Sequence, residues 1–242
     1  MPEAVVQSEA RTEENKQPDK PETVNPAADE TIKEEYSKPI VMTSPEQIPD
    51  YSGRLSIELT GNKPLFTDYE IENTAGEHYS ALDRLGRCGM AYAMVTEDLM
   101  PTEERGAIGQ VKPSGWSQEK YPGIVNSDPP YLYNRCHLLA YSLTGEIANE
   151  QNLITGTRYF NAEGMQPYEM AVLEYMRNGG RQVLYRVTPY FKDKELIARG
   201  VEMEAYSVDD GGKEICFHVF VYNVQPGVEI DYSTGASREV AQ

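Results

Sequence analysis

Histidine, tryptophan and cysteine are scarce in this chain: three, one and three among 242 residues. Cys88, Cys136 and Cys216 cannot all pair within one molecule. None stands at a Cys-x-x-Cys or Cys/His zinc spacing, so a zinc ribbon is excluded. Buried free thiols are the reading favoured here, with a Cys88–Cys216 bridge left open for an exported protein. No stretch approaches the roughly 20 consecutive apolar residues that a membrane-spanning helix needs. The N-terminal Met-Pro-Glu-Ala-Val-Val lacks the basic start and apolar middle of a signal peptide, so none is expected in this chain. Positive charge is short too. A formal net charge of −17 argues against a passive nucleic-acid binder, which would carry a basic face. The acidic excess lies outside residues 101–200, whose charges balance. The middle of the chain is therefore open to a polyanionic substrate.

Aromatics are nearly missing from the first fifty residues, where Tyr36 stands alone and seven of the 16 prolines fall. Such a segment cannot bury enough apolar area to offset its ordering entropy. Residues 1–48 are expected to be a disordered acidic tail, either a spacer or a plain frayed terminus. A folded domain is expected over 49–230. The chain turns polar from about residue 226, and residues 231–242 are expected to fray.

Within the domain, Ser56-Ile-Glu-Leu59 alternates like a short strand before a Gly61-Asn62 turn, and Thr67 or Asp68 suits a helix cap. Residues 89–96 read as a buried strand. Residues 101–130, rich in Gly, Pro and Ser, form a long loop around Trp116, and loops of that length are usually functional or disordered. Residues 161–180 read as a helix, with Pro167 in its first turn and Met170, Leu173 and Met176 at helical spacing. The C-terminal third reads as strands over 182–188, 201–208 and 215–223, the last two joined at Asp209-Asp-Gly-Gly212. Strands, one main helix, then more strands suggest an α+β domain on an antiparallel sheet.

The chemistry concentrates in Tyr131-Leu-Tyr-Asn-Arg-Cys-His137 and the Asn- and Gly-rich stretch Glu150-Gln-Asn152-Leu-Ile-Thr-Gly-Thr-Arg158-Tyr-Phe-Asn161. Imidazole titrates near neutrality, so His137 is the natural base. Arg135 and Arg158 suit phosphate oxygens through paired N–H donors. An Asn carbonyl, here Asn161, is a hard neutral donor for Mg²⁺, which keeps most of its waters. Trp116 suits stacking on a base or sugar, or plugging the edge of the core. Each residue also has a bland reading: a lone His is more often structural, an Asn more often a turn residue, Glu169 an exposed helix carboxylate. His78 sits in a polar surface context. His218 alternates on a strand and reads as structural.

Asn134-Arg-Cys-His137 resembles the Asp-Arg-Gly-His motif of the DNA/RNA non-specific endonucleases, the ββα-metal (His-Me finger) nucleases that include streptococcal secreted DNases. The likeness runs on through Asn149-Glu-Gln-Asn152-Leu-Ile-Thr-Gly-Thr-Arg-Tyr-Phe-Asn161 and the following helix. It covers roughly residues 85–225 in pattern and is most specific over 131–169. It implies an α+β ββα-metal fold with a central antiparallel sheet. It implies His137 as general base, Asn161 as the Mg²⁺ ligand (with Mn²⁺ as a substitute), Asn152 as the residue holding loop backbone, Arg135 as the motif arginine and Glu169 as an outer-shell carboxylate. The implied activity is non-specific cleavage of DNA, with RNA as a second substrate, in a secreted or envelope-associated protein. Two positions depart from the motif. Asn134 replaces its Asp and removes a charge near the metal. Cys136 replaces its Gly, and a thiol beside an arginine is a candidate for easier ionisation and oxidation. The alternatives are a non-catalytic nucleic-acid or surface-binding module, and an antibacterial toxin nuclease paired with an inhibitor protein.

Overall fold

β-branched and aromatic residues crowd the C-terminal third, and they build the centre of a six-stranded antiparallel sheet. The computed structural model describes residues 44–240, so the expected tail lies outside the described residues up to position 43. In chain order the elements are β1 (Ser56–Glu58), α1 (Asp68–Asn73), β2 (Glu77–Tyr79), β3 (Ala91–Val95), β4 (Tyr133–His137), α2 (Tyr141–Thr144), β5 (Leu153–Thr157), α3 (Gln166–Arg177), β6 (Val183–Tyr190), β7 (Gly200–Ser207), β8 (Cys216–Tyr222), β9 (Val228–Ile230) and β10 (Ser237–Glu239). The large sheet runs β1-β8-β7-β6-β3-β2, while β4 pairs with β5 and β9 with β10. Thr67 caps α1 through a reciprocal capping box with Glu70.

Strand alternation divides the side chains of the large sheet between its two faces. Val183, Tyr185 and Val187 of β6, Val201, Met203 and Ala205 of β7, and Phe217, Val219 and Val221 of β8 enter one core with α3. The α3 residues in that core are Val172, Leu173 and Met176. Burying each contributes roughly 1.5–3 kcal/mol. Met170, expected on this stripe, is 36% exposed. The helix is rolled so that Met165, Glu169, Val172, Leu173 and Met176 share the inward face, as their spacing of four, three, one and three allows. Glu169 thus occupies a position that an apolar residue would usually fill. The other face of the sheet carries Phe220 and Tyr222, which pack with Ile48, Ile57 and Leu59.

The C-terminal segment corrects an expectation. Residues 231–240 do not fray: Asp231 turns the chain, accepting from the amides of Thr234 and Gly235, and β10 pairs with β9. Tyr232 anchors the segment by donating its hydroxyl hydrogen to Asn223 O at 2.7 Å. A run this polar and short shows no readable periodicity, and its order comes from contacts distant in sequence.

Candidate active site

The site is a ββα unit, β4 and β5 followed by α3. A buried amide is one of its ties to the chain that follows the large sheet's β8. Asn223 Oδ1 accepts from the Thr157 amide at 3.0 Å, while its Nδ2 donates to Thr155 O at 3.1 Å and Ala198 O at 3.0 Å. Between β5 and α3, Phe160–Met165 form a wide π-helical turn, a local geometry common at functional sites. Two glycines permit the close packing. A Cβ at Gly156 would lie 2.5 Å from both Cys136 Sγ and Phe160 Cδ1, and one at Gly164 would lie 2.6 Å from Val221 Cγ1. Gly156 stands across the ladder from Asn134, so the room that Cys136 needs is supplied by the neighbouring strand. Cys136 is fully buried and burial pushes its thiol well up, which removes the expectation of an easily ionised, oxidisable group. Cys88 and Cys216 are free thiols. Cys88 donates toward Glu150 O and Leu153 O.

His137 lies at the end of β4, beside a cleft of about 580 Å³. Its Nε2 is 2.8 Å from Ile147 O. A carbonyl only accepts, so Nε2 carries the hydrogen and Nδ1 keeps its lone pair. Arg105 Nη2 stands 3.2 Å from that Nδ1. Burial chiefly, with the Arg105 charge adding to it, lowers the imidazole to about 4, against the opposing pull of the Ile147 carbonyl. The ring is therefore neutral at physiological pH and has one basic nitrogen.

Arg135, Arg158, Trp116, Asn161 and Glu169 line the same cleft as His137. Asn152 does not. It is fully buried, and its amide accepts from Leu139 N at 2.8 Å and donates to Leu139 O at 3.0 Å. It is a positioning residue that fixes the backbone just past His137. Arg135 is also partly committed. Its Nε donates to Val111 O and its Nη2 to Gly109 O, and its guanidinium lies 4.1 Å from the Trp116 ring centroid. It ties the 101–130 loop to β4 as well as facing the cleft. Among the described residues the Arg158 guanidinium has no hydrogen bond or ion pair, nor has the side-chain amide of Asn161 a hydrogen bond. Burial pushes the Glu169 carboxyl up to about 8, with Arg105 pulling it down. The nearby Tyr185 hydroxyl is buried without a hydrogen-bond partner.

Arg105 is a cleft residue that sequence reasoning missed. It lies in Glu103-Glu-Arg105-Gly, thirty-two positions before His137, and the length of its loop was the only signal.

A hydrated divalent ion fits this donor set. Asn161 offers one neutral hard oxygen, and the Glu169 carboxyl in the same cleft is a polar group short of partners, as bound water would satisfy. A second group, Glu202, Glu204 and His218, brings possible ligand atoms within 4.8 Å of one another. That group is already saturated. Glu204 binds Arg186 Nε at 2.7 Å and the Leu65 amide at 2.6 Å. Glu202 accepts from the Tyr190 hydroxyl at 2.6 Å and pairs with His218 Nε2. His218 Nδ1 meets Thr60 Oγ1 at 2.6 Å. With the Arg186 cation in place, its chemistry is that of an internal ion-pair network.

Comparison with known proteins agrees with this geometry. The pattern of the DNA/RNA non-specific endonucleases matches residues 67–209. A deoxyribonuclease of Streptococcus dysgalactiae subsp. equisimilis is 29% identical over 197 residues, 65% of this chain and 59% of that protein. The match thus spans less than two thirds of that relative. NucA from Streptococcus agalactiae, solved with a magnesium ion bound, superposes with a TM-score of 0.66 at 26% identity, covering 76% of this chain and 86% of that one. The Sda1 nuclease, solved with a bound zinc ion, gives 0.57 at 30% identity over 70% and 82%. Because the pattern covers more than half of the chain and the ββα unit carries its residues, the chain belongs to the DNA/RNA non-specific endonuclease family.

Proposed function

We propose that the chain hydrolyses phosphodiester bonds of DNA with little sequence preference, using a divalent ion at Asn161 and His137 as general base. The observation that carries this reading is the pairing of a neutral imidazole, whose Nδ1 lone pair meets only the displaceable Arg105 guanidinium, with an Asn amide that has no hydrogen bond among the described residues, in one arginine-lined cleft. Ile147 O holds the His137 tautomer, so the proton of an attacking water passes to Nδ1. Arg105 rests on that nitrogen. A phosphate oxygen entering the cleft competes for its guanidinium, which frees the base and neutralises charge on the phosphate. Arg158, whose guanidinium has no hydrogen bond or ion pair among the described residues, binds a second phosphate oxygen. Asn161 and, through water, Glu169 would hold the ion. When bound, the ion supplies charge stabilisation for the leaving oxygen. An all-oxygen donor set favours Mg²⁺ or Mn²⁺ over softer metals.

Low sequence preference follows from the contacts available. Arginines and a metal address phosphate, and phosphate contacts carry no base information. RNA is the second substrate on the same argument. Supporting the reading are the family membership and the magnesium in the NucA structure. The test is incubation of plasmid DNA and of RNA with Mg²⁺ or with chelator, for the wild type and His137→Ala. Cleavage that needs the metal and the histidine is expected. Cleavage retained by the variant removes His137 as base, and no cleavage by the wild type removes the nuclease reading.

A further inference from the structure

Residues of β4 and of the loop before it line the cleft, Asn134 among them. Tyr131, Tyr133, Arg135 and His137 all line it, as a period of two on an extended chain allows. The segment around 116–120 runs antiparallel beside them and meets them pairwise. Lys120 and Tyr131 form an antiparallel bridge, with the Lys120 ammonium 4.9 Å from the Tyr131 ring centroid. Gln118 holds the Tyr133 backbone at both ends, donating to its carbonyl at 2.6 Å and accepting from its amide at 2.9 Å. Trp116 lies under the Arg135 guanidinium. Two rungs thus pair a cation with a ring, and the middle rung is a brace, since the Tyr133 ring is buried and its hydroxyl donates to Gly235 O. The ladder leads from the catalytic imidazole out to Tyr131, which is 39% exposed. Six residue steps separate Tyr131 from His137, a path of roughly 20 Å on an extended chain.

We propose that this ladder is a binding track for an unpaired polynucleotide strand, and that Tyr131 is its outer stacking subsite, taking a base a few nucleotides from the scissile phosphate. The proposal rests on the nuclease reading and adds a preference to it. Interleaved cations and rings suit a single strand, because backbone phosphates meet the cations while bases stack on aromatic faces without being read. In a duplex the base faces are already stacked on one another and offer nothing to a protein ring unless a nucleotide is flipped out. Lys120 serves the same subsite twice. Its charge draws phosphate, and its contact with the Tyr131 ring fixes the ring's orientation. Arginine contacts alone would not separate single strands from duplex.

The test uses the full chain in chelator at low salt, so that turnover does not intrude. Binding of a fluorescein-labelled twelve-nucleotide single strand, and of the same sequence as duplex, is followed by anisotropy. Tyr131→Ala is expected to weaken single-strand binding about tenfold, the usual scale of one lost base–ring stack, and duplex binding less than twofold. Tyr131→Phe keeps the ring and restores the wild-type value. Lys213→Ala, which removes a cation from the distant β7–β8 hairpin, changes neither. Equal losses for strand and duplex, no loss, failure of Phe to restore, or no measurable single-strand binding by the wild type would each overturn the proposal. Failure of the nuclease reading shows separately, as a wild type that binds the strand and leaves it uncut in Mg²⁺.

Discussion

Two polar clusters, built from the same kinds of residue, occupy different parts of this fold. One surrounds His137 at the cleft, with Glu169, Asn161 and three arginines. The other surrounds His218 on the sheet face turned away from α3, with Glu202, Glu204 and Arg186. Around His218 every ring nitrogen and both carboxylates have protein partners. Around His137 the partners run out. One ring nitrogen is locked by a carbonyl, the other touches only Arg105, and the Asn161 amide and Glu169 carboxyl have no hydrogen bonds among the described residues. A saturated cluster stabilises and an unsaturated one binds, because only the latter has valences left for water, a cation or phosphate. Candidate metal ligands are therefore better judged by unfilled hydrogen-bonding capacity than by the closeness of His and Glu alone.

The comparison can be broken most directly at the two histidines. His137→Ala is expected to lower kcat at least a thousandfold, at the upper end of the general-base range, with the chain still folded by circular dichroism. A kcat within tenfold of wild type would erase the distinction drawn for the cleft. Asn161→Ala comes next. Activity at sub-saturating Mg²⁺ should fall by about a hundredfold, in line with the loss of a metal-holding residue, and more metal should be needed for half-maximal rate. An unchanged metal titration would place the ion elsewhere. His218→Ala tests the other cluster. It should cost about 3 kcal/mol of stability in urea unfolding, because it strips one partner from a buried charge network, while kcat/KM of the folded protein holds. A selective loss of kcat there would mean that the second cluster takes part in the chemistry.

The smallest effect is a pH dependence of stability set by the cleft histidine. His137 is held at about 4 when folded, against about 6.5 in an unfolded chain. Between those values the unfolded state binds more protons, so stability contributed by the buried neutral ring is whole above 6.5 and is lost as pH falls toward 4. The melting temperature should drop over that window, and His137→Gln should flatten the drop. For the same reason the acid limb of kcat/KM assigned to the base should lie near 4. A limb at 6.5 would mean that the ring is exposed in the working enzyme.

Local pattern made much of this legible. β-branched runs located β6, β7 and β8, and Pro167 with the Leu173–Met176 spacing located α3. The motif around His137 and the Asn152-to-Asn161 stretch pointed to the cleft. Glu169 was half legible: its place on the apolar stripe can be counted from Met165 to Met176, but which side of the helix faces inward depends on how α3 rolls against the sheet. The β9–β10 hairpin was not legible, since three-residue strands carry no measurable period. Arg105 and Asn223 were not legible for a different reason, because each acts on residues 25 to 68 positions away.

By itself the sequence determined the element types, the antiparallel α+β class, the family pattern and the residue kinds available for phosphodiester chemistry, because propensity, periodicity and motif spacing act over a few neighbouring positions. Only the tertiary structure decided which of the polar groups are left unpaired. It put Arg105 on the basic nitrogen of His137, turned Asn152 inward to hold backbone, filled the coordination of His218 and left Asn161 open. Hydrogen-bond saturation depends on partners brought together from distant parts of the chain, and folding settles that pairing in space.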